Sequence, residues 1–124
     1  MYSHMMVGSN DIDRSKIFYD GLFTAIGGKP GMKDPNNRLI YMHNGGLFIV
    51  TTPINGEPAT HANGGTIGFA MDPEQADAWH AAGVANGGTA CEDPPGVREG
   101  SFGKLYLAYL RDPDGNKLCA LKRL

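Results

Sequence analysis

The sequence contains the same pattern twice, and this internal repeat limits the folds that the chain can adopt. Each half opens with a short apolar strand, at residues 3–7 and 66–71. A helical stretch follows, at residues 12–28 and 72–88, and each stretch ends in Gly-Gly. A Pro-Gly loop and further short strands come next in both halves. Because repeated units bury their apolar faces against one another, we expect two similar modules that share one core.

Local signals in the sequence support both helices. In the second, Asp72 can cap the helix, Pro73 suits the first helical position, and Gln75 completes a capping box. The paired glycines suit the left-handed backbone that often ends a helix. Apolar residues at three- and four-residue spacing predict one buried stripe on each helix. The stripes comprise Ile12, Tyr19, Leu22, Phe23 and Ile26 in the first helix, and Ala76, Trp79 and Gly83 in the second.

Two hairpins complete the repeated pattern. The first joins residues 39–42 to 47–52, and turn residues separate the two strands. The second joins residues 105–111 to 117–121 through an Asp-Pro-Asp-Gly turn. We therefore predict one α+β domain over residues 1–124, built from two tandem βαβββ modules. These form a curved, mixed, mostly antiparallel sheet with the helices on its outer face. The predicted divisions are module 1 at about 1–56, a polar linker at about 53–64, and module 2 at about 65–124.

Composition bears on partners and location. The net charge is −2 and the eleven basic residues are scattered, so we expect binding to neither nucleic acid nor an anionic membrane. No apolar run is long enough to span a bilayer, and the N-terminus lacks the pattern of a signal peptide. Two cysteines are too few for a disulfide framework. We therefore expect a cytoplasmic protein with reduced thiols.

Strand alternation predicts a surface that could hold a ligand. In the strand at residues 66–71, large apolar residues alternate with Thr66, Gly68 and Ala70. The large residues should pack under the helix, so the small ones face away and leave room for a small molecule. The same alternation in the other strands assigns further residues to this face. They are His4, Met6, Lys117, Cys119 and Leu121.

The register of the second hairpin decides which tyrosine joins this face. If Arg111 pairs with Asn116 across the turn, Tyr106 lies on the ligand-binding face and Tyr109 packs toward the helix. We therefore predict that Tyr106 contacts the ligand.

The segment before this hairpin, residues 92–103, is predicted as a loop that joins an edge strand to it. A loop in this place could cover the ligand-binding face. Arg98 or Phe102 would then meet the ligand.

These features together resemble the vicinal oxygen chelate superfamily. The resemblance rests on the duplicated strand-helix-three-strand module, the early strand histidine, FYDGLF in the first helix and RDPDGNKL before the last strand, and it covers essentially the whole chain. The superfamily contains glyoxalase I, extradiol dioxygenases, methylmalonyl-CoA epimerase, fosfomycin-resistance thiol transferases and bleomycin-resistance proteins. The resemblance implies the tandem fold, and it implies a homodimer, because dimerisation often completes the clefts in this superfamily.

The resemblance also implies four positions for metal ligands. Metal-using members bind a divalent ion through four side chains, usually His and Glu, from the first and last strands of each module. In this sequence those positions hold His4, Ile49, Thr66 and Cys119. Only His4 matches, and an open metal site usually needs three protein ligands. We therefore expect no metal and no other cofactor, and it stays open whether the protein is an enzyme.

Three functions remain as hypotheses. The first is a glyoxalase- or bleomycin-resistance-like protein that binds a small, partly apolar organic molecule in the concave cleft without a metal. The second is a divalent-metal-dependent lyase, epimerase, dioxygenase or thiol transferase of the same superfamily. The third is a catalytically silent interaction domain whose cleft is filled by its own side chains.

Two of the predicted ligand-binding residues have alternative roles. His4 either contacts the ligand or is a hydrogen-bonded strand histidine. Cys119 is either a small buried hydrophobe or a thiolate nucleophile. The predicted ligand-binding residues are His4, Met6, Ile49, Thr66, Tyr106, Cys119 and Leu121.

Overall fold

The computed structural model describes all of residues 1–124 and confirms the α+β fold with two tandem modules. Each module follows the strand-helix-strands order that the repeat predicts. Module 1 contains β1 (Met5–Gly8), α1 (Ile12–Ala25), β2 (Met32–Lys33), β3 (Leu39–His43) and β4 (Gly46–Thr51). Module 2 contains β5 (Ile67–Ala70), α2 (Pro73–Ala85), β6 (Thr89–Ala90), β7 (Gly96–Gly100), β8 (Gly103–Arg111) and β9 (Lys117–Arg123).

The strands lie in two mixed sheets, one per module. The sheet of module 1 has the order β1-β4-β3-β2, and that of module 2 has the order β5-β9-β8-β6, with β7 also paired to β8. In both sheets the first strand of the module runs parallel to the last, and the other pairs are antiparallel. The strands β1 and β5 are each paired on one side only. Each sheet therefore ends in an unpaired edge strand.

One apolar core joins the two modules. The helices α1 and α2 pack against each other, and the buried apolar side chains of both modules form a single cluster. Phe69 of β5 contacts Phe23 of α1 and Phe48 of β4, with ring centroids 6.0 and 5.5 Å apart. All the residues of the predicted helix stripes are buried. Neither helix has the length and apolar character needed to cross a membrane.

The turn between β8 and β9 connects module 2 to module 1 through buried hydrogen bonds. Asp112, which is 4% exposed, accepts a 2.5 Å hydrogen bond from the hydroxyl of Tyr19 in α1. The Asn116 side chain donates to the carbonyl of Gly8 at the end of β1, at 3.1 Å. The Asp112 carboxylate also accepts the backbone N–H groups of Asp114 and Asn116. One carboxylate therefore both shapes the turn and connects it to the other module.

Asp114, in the same turn, makes a second set of contacts across the module boundary. It accepts hydrogen bonds of 2.9 Å from the Arg14 guanidinium and from the Asn10 N–H. Its other oxygen accepts the hydroxyl of Ser15 at 3.3 Å, and that hydroxyl lies 2.6 Å from the hydroxyl of Ser9. No buried side-chain polar atom in the chain lacks a partner. The hydrogen bonds of this turn thus offset the cost of burying its polar groups.

Removing this central carboxylate should weaken the fold. The substitution Asp112→Ala is expected to lower the free energy of unfolding by about 3 kcal/mol, because the Tyr19 hydroxyl and two N–H groups lose their acceptor. Asp13→Ala is the matched control. The Asp13 side chain is 83% exposed and pairs only with Lys33, so we expect a much smaller loss than for Asp112→Ala. Urea unfolding at one protein concentration measures both losses of stability. Equal losses would contradict the stabilising role of the Asp112 carboxylate.

Candidate functional site

The face of each sheet that points away from the helices is called the open face. In module 2, Leu118 and Ala120 of β9 are fully buried on the helix side. The alternating residues Cys119 and Leu121 therefore lie on the open face. Cys119 is the register partner of Gly68 in β5, which has no side chain and leaves space beside it. The predicted assignment of faces in β5 and β9 is confirmed.

The open face of module 1 contains Met6 of β1 and Ile49 of β4, which are register partners. Both residues alternate with core residues along their strands. His4 precedes β1, is exposed, and has its Nδ1 2.8 Å from the hydroxyl of Ser3. Thr66 precedes β5 in the same way and is also exposed. The predicted residues thus fall into two groups, one on each sheet, with His4 and Thr66 just outside the strands.

The prediction that Tyr106 lies on the open face is wrong. Arg111 pairs with Lys117 rather than with Asn116, because Asn116 belongs to the turn. A shift of one residue in register moves every side chain of a strand to the opposite face. Tyr106 therefore lies on the helix side, and its hydroxyl donates a 2.6 Å hydrogen bond to Asp77 of α2.

Tyr109 takes the place that was assigned to Tyr106. It is the register partner of Cys119, so its side chain lies on the open face of module 2. The ammonium of Lys117 is 5.0 Å from the centroid of the Tyr109 ring and also pairs with the carboxylate of Glu92. Burial raises the pKa of Tyr109, and the neighbouring Cys119 adds to this effect. The hydroxyl therefore remains protonated near neutral pH and can donate a hydrogen bond to a ligand.

Cys119 has the properties of a buried apolar residue rather than those of a nucleophile. It is 5% exposed, and burial raises the pKa of its thiol even though Tyr109 and Lys117 act in the opposite direction. The thiolate is the reactive form of cysteine, so a raised pKa and low exposure both reduce reactivity. Of the two alternatives for this residue, the geometry favours the small buried hydrophobe.

The four positions that the resemblance implies for metal ligands do not fit a metal here. Ile49 has no donor atom, Thr66 offers only a neutral hydroxyl, and Cys119 is a buried thiol with a raised pKa. His4 is the one good ligand of the set. No three His, Cys, Asp or Glu side chains of the chain are close enough together to hold a metal ion. No step through a metal follows from these residues.

The segment at residues 92–103 is only partly the loop that the sequence predicts. Its middle forms β7, which pairs with β8 and extends the sheet of module 2. The Arg98 guanidinium donates to the carbonyls of Asp93 and Pro94, at 3.0 and 2.8 Å. Phe102 is 84% exposed in the turn that follows β7. The segment therefore forms an edge of the sheet, with Arg98 bound to its own loop.

The tandem modules and their open faces define a known class of α+β protein. The sequence model of the Glyoxalase/Bleomycin resistance protein/Dioxygenase superfamily matches residues 2–120. The chain belongs to this superfamily. No curated protein matches the chain.

Solved structures agree with this assignment. A glyoxalase/bleomycin resistance protein from Albidiferax ferrireducens is 62% identical, with 99% of each chain covered and a TM-score of 0.94. A glyoxalase/bleomycin resistance protein/dioxygenase family enzyme from Burkholderia phytofirmans is 19% identical, with 98% of each chain covered and a TM-score of 0.73. The fosfomycin resistance protein FosX from Mesorhizobium loti is 14% identical, with 100% of this chain and 92% of that chain covered and a TM-score of 0.70. At these lower identities the likeness shows the fold alone.

Thiol labelling tests the burial of Cys119. In the folded protein at pH 8, Ellman's reagent should modify half-buried Cys91 first and Cys119 at least ~tenfold more slowly, because Cys119 is nearly inaccessible and its pKa is raised. Raising the pH should increase the Cys119 rate as the thiolate forms. Cys91→Ser is the control and should leave only the slow phase. Modification of Cys119 at the rate seen in denaturant would contradict its burial.

Proposed function

We propose that this chain binds a small, partly apolar organic molecule on its open faces without a metal ion. One observation carries the proposal. At the positions where metal-using relatives place charged ligands, Ile49 presents apolar surface and Cys119 is a buried thiol. A surface of this kind lowers the free energy of an apolar ligand and offers little to a cation.

The ligand contacts follow from the two open faces. In module 1, Met6 is 44% exposed beside Ile49, and such exposed apolar groups often mark binding surfaces. In module 2, Leu121 supplies apolar contact and the Tyr109 hydroxyl supplies a hydrogen bond. His4 lies at the start of β1, where it can exchange a hydrogen bond with a polar group of the ligand. Thr66 has the corresponding position at the start of β5.

A homodimer would bring the two kinds of open face together. The edges of β1 and β5 are unpaired, and unpaired edges are ready to accept another strand. In a two-fold dimer, β1 of one copy can lie against β5 of the other. The symmetry axis then produces this contact at two places in the dimer. This arrangement would place Met6 and Ile49 across from Cys119 and Tyr109 and enclose a cleft. We place this dimer in the cytoplasm, in line with its two free thiols.

The dimer is tested separately from ligand binding. Sedimentation equilibrium of the purified protein is expected to give twice the mass of the chain. A monomer at every concentration examined would exclude the shared cleft. Binding on the separate open faces would then remain to be judged by its own experiment.

Blocking the open face tests the binding proposal. A fragment library of small organic compounds should yield ligands by equilibrium dialysis, and Ile49→Trp should weaken them at least ~tenfold because the indole fills the open face. Ile17→Trp is the matched control. Ile17 is 63% exposed on α1, away from both open faces, so affinity should be unchanged. The proposal fails if no compound binds below millimolar concentration, or if Ile49→Trp and the control behave alike.

The alternative function is a divalent-metal-dependent lyase, epimerase, dioxygenase or thiol transferase. It requires at least two good ligands besides His4. This chain does not bring such ligands together.

A further inference from the structure

A cavity lies where the two modules meet, mainly on the core side of their edge strands. Its volume is about 250 Å³, and most of its lining is apolar. Its apolar walls are formed chiefly by Met5, Phe23, Ile26, Phe48, Ile67 and Phe69. The cavity is thus large enough for a small organic molecule.

Strand alternation shows that this cavity is not the ligand-binding cleft proposed above. Met5 and Phe48 are register partners, and both pack toward the shared core. Ile67 and Phe69 also pack against that core, from β5. None of the side chains proposed above to contact the ligand lines the cavity, although Gly68 and Ala70 of β5, which face the open side, also contribute to its wall. The cavity therefore lies at the edges of β1 and β5, mainly on their core side.

A difference between the two halves of the repeat accounts for the cavity. In module 2, the turn from Asp112 to Asn116 separates β8 from β9, and its side chains fill the space next to β1 and α1. The corresponding turn of module 1 contains only Asn44 and Gly45, between the paired residues His43 and Gly46. This shorter turn has no carboxylate to extend into the other module. The space between it and β5 consequently stays open.

The lining determines what the cavity can hold. The Phe48 and Phe69 rings meet edge to face, and Phe23 meets Phe69 in the same way, so the walls are aromatic. A cavity of about 150 Å³ lined by aliphatic and aromatic side chains stays dry and binds benzene. The larger space here matches a molecule with two fused rings. His43 and Asn44 also line the cavity and can each form a hydrogen bond with one polar group.

We propose that this cavity is a second ligand site, which takes a neutral bicyclic aromatic molecule with one hydrogen-bonding group. The aromatic walls hold the rings, and His43 or Asn44 binds the polar group. Charged ligands are disfavoured, because no Asp, Glu, Lys or Arg side chain lines the cavity to compensate for their desolvation.

Indole serves as the probe, and tryptophan substitutions inside the cavity and away from it provide matched variants. Saturation-transfer NMR and calorimetry on the full-length protein should detect binding of one indole per chain. Met5→Trp fills the cavity and should weaken indole at least ~tenfold. Ile17→Trp places the same side chain on the exposed surface of α1, away from the cavity and from both open faces, and should change the affinity by less than about twofold.

A second variant keeps the test valid if Met5→Trp does not fold. Ile67→Trp fills the cavity from β5, and thermal unfolding shows whether each variant keeps its structure. Loss of indole binding in a folded Met5→Trp or Ile67→Trp protein, with binding kept in Ile17→Trp, supports the site. Absence of indole binding to the natural protein would overturn it, as would equal weakening by Met5→Trp and Ile17→Trp. Weakening by Ile49→Trp, with no effect of Met5→Trp or Ile67→Trp, would place the indole on the open face and would also overturn the cavity site.

Discussion

The hydrogen bond between Tyr19 and Asp112 is the contact on which the arrangement of this molecule most depends. It connects the helix of the first module to the β8–β9 turn of the second, in a place from which water is excluded. Burial and the nearby Asp112 charge raise the pKa of Tyr19 well above its ordinary value, so the hydroxyl remains a donor. Because the same carboxylate closes the turn, the shape of the turn and the position of the modules are determined together.

This connection also explains why the two halves are no longer equivalent. The turn in module 2 is long and polar, and it fills its side of the module boundary. The turn in module 1 is short, and an aromatic cavity remains beside it. The open faces differ as well: Met6 and Ile49 make one apolar, whereas Tyr109 and Lys117 give the other a polar border. The two modules therefore share one architecture but present different surfaces.

Much of the fold could be predicted from the sequence, because the repeat and the strand alternation are local patterns. The helix stripes and the faces of β5 and β9 follow directly from spacing. The face of Tyr106 could not be predicted in this way, since it depends on whether Asn116 lies in the turn or in the strand. The Asp112 carboxylate accepts the N–H of Asn116 and holds it in the turn, which moves Tyr109 onto the open face. An aspartate followed by Pro-Asp-Gly-Asn is a signal for that longer turn.

The cavity and β7 could not be predicted from the sequence for a different reason. A cavity is the space left between elements that are distant in the chain, and no local pattern records it. The strand β7 (Gly96–Gly100) begins and ends with glycine and contains two charged residues, so its composition is typical of a loop. It becomes a strand because β8 offers an edge for pairing. Tertiary context decided both features.

The metal content of the natural protein tests the central claim most directly. Elemental analysis would be made on untagged protein, first as purified without chelators and then after exposure to Ni, Zn, Mn or Fe(II) and gel filtration. The account predicts far less than one metal ion per chain in every case, because His4 is the only good ligand among the four positions. Near one metal ion per chain that disappears in His4→Ala but persists in His61→Ala would contradict it. The metal-dependent enzyme would then become the better description of this protein.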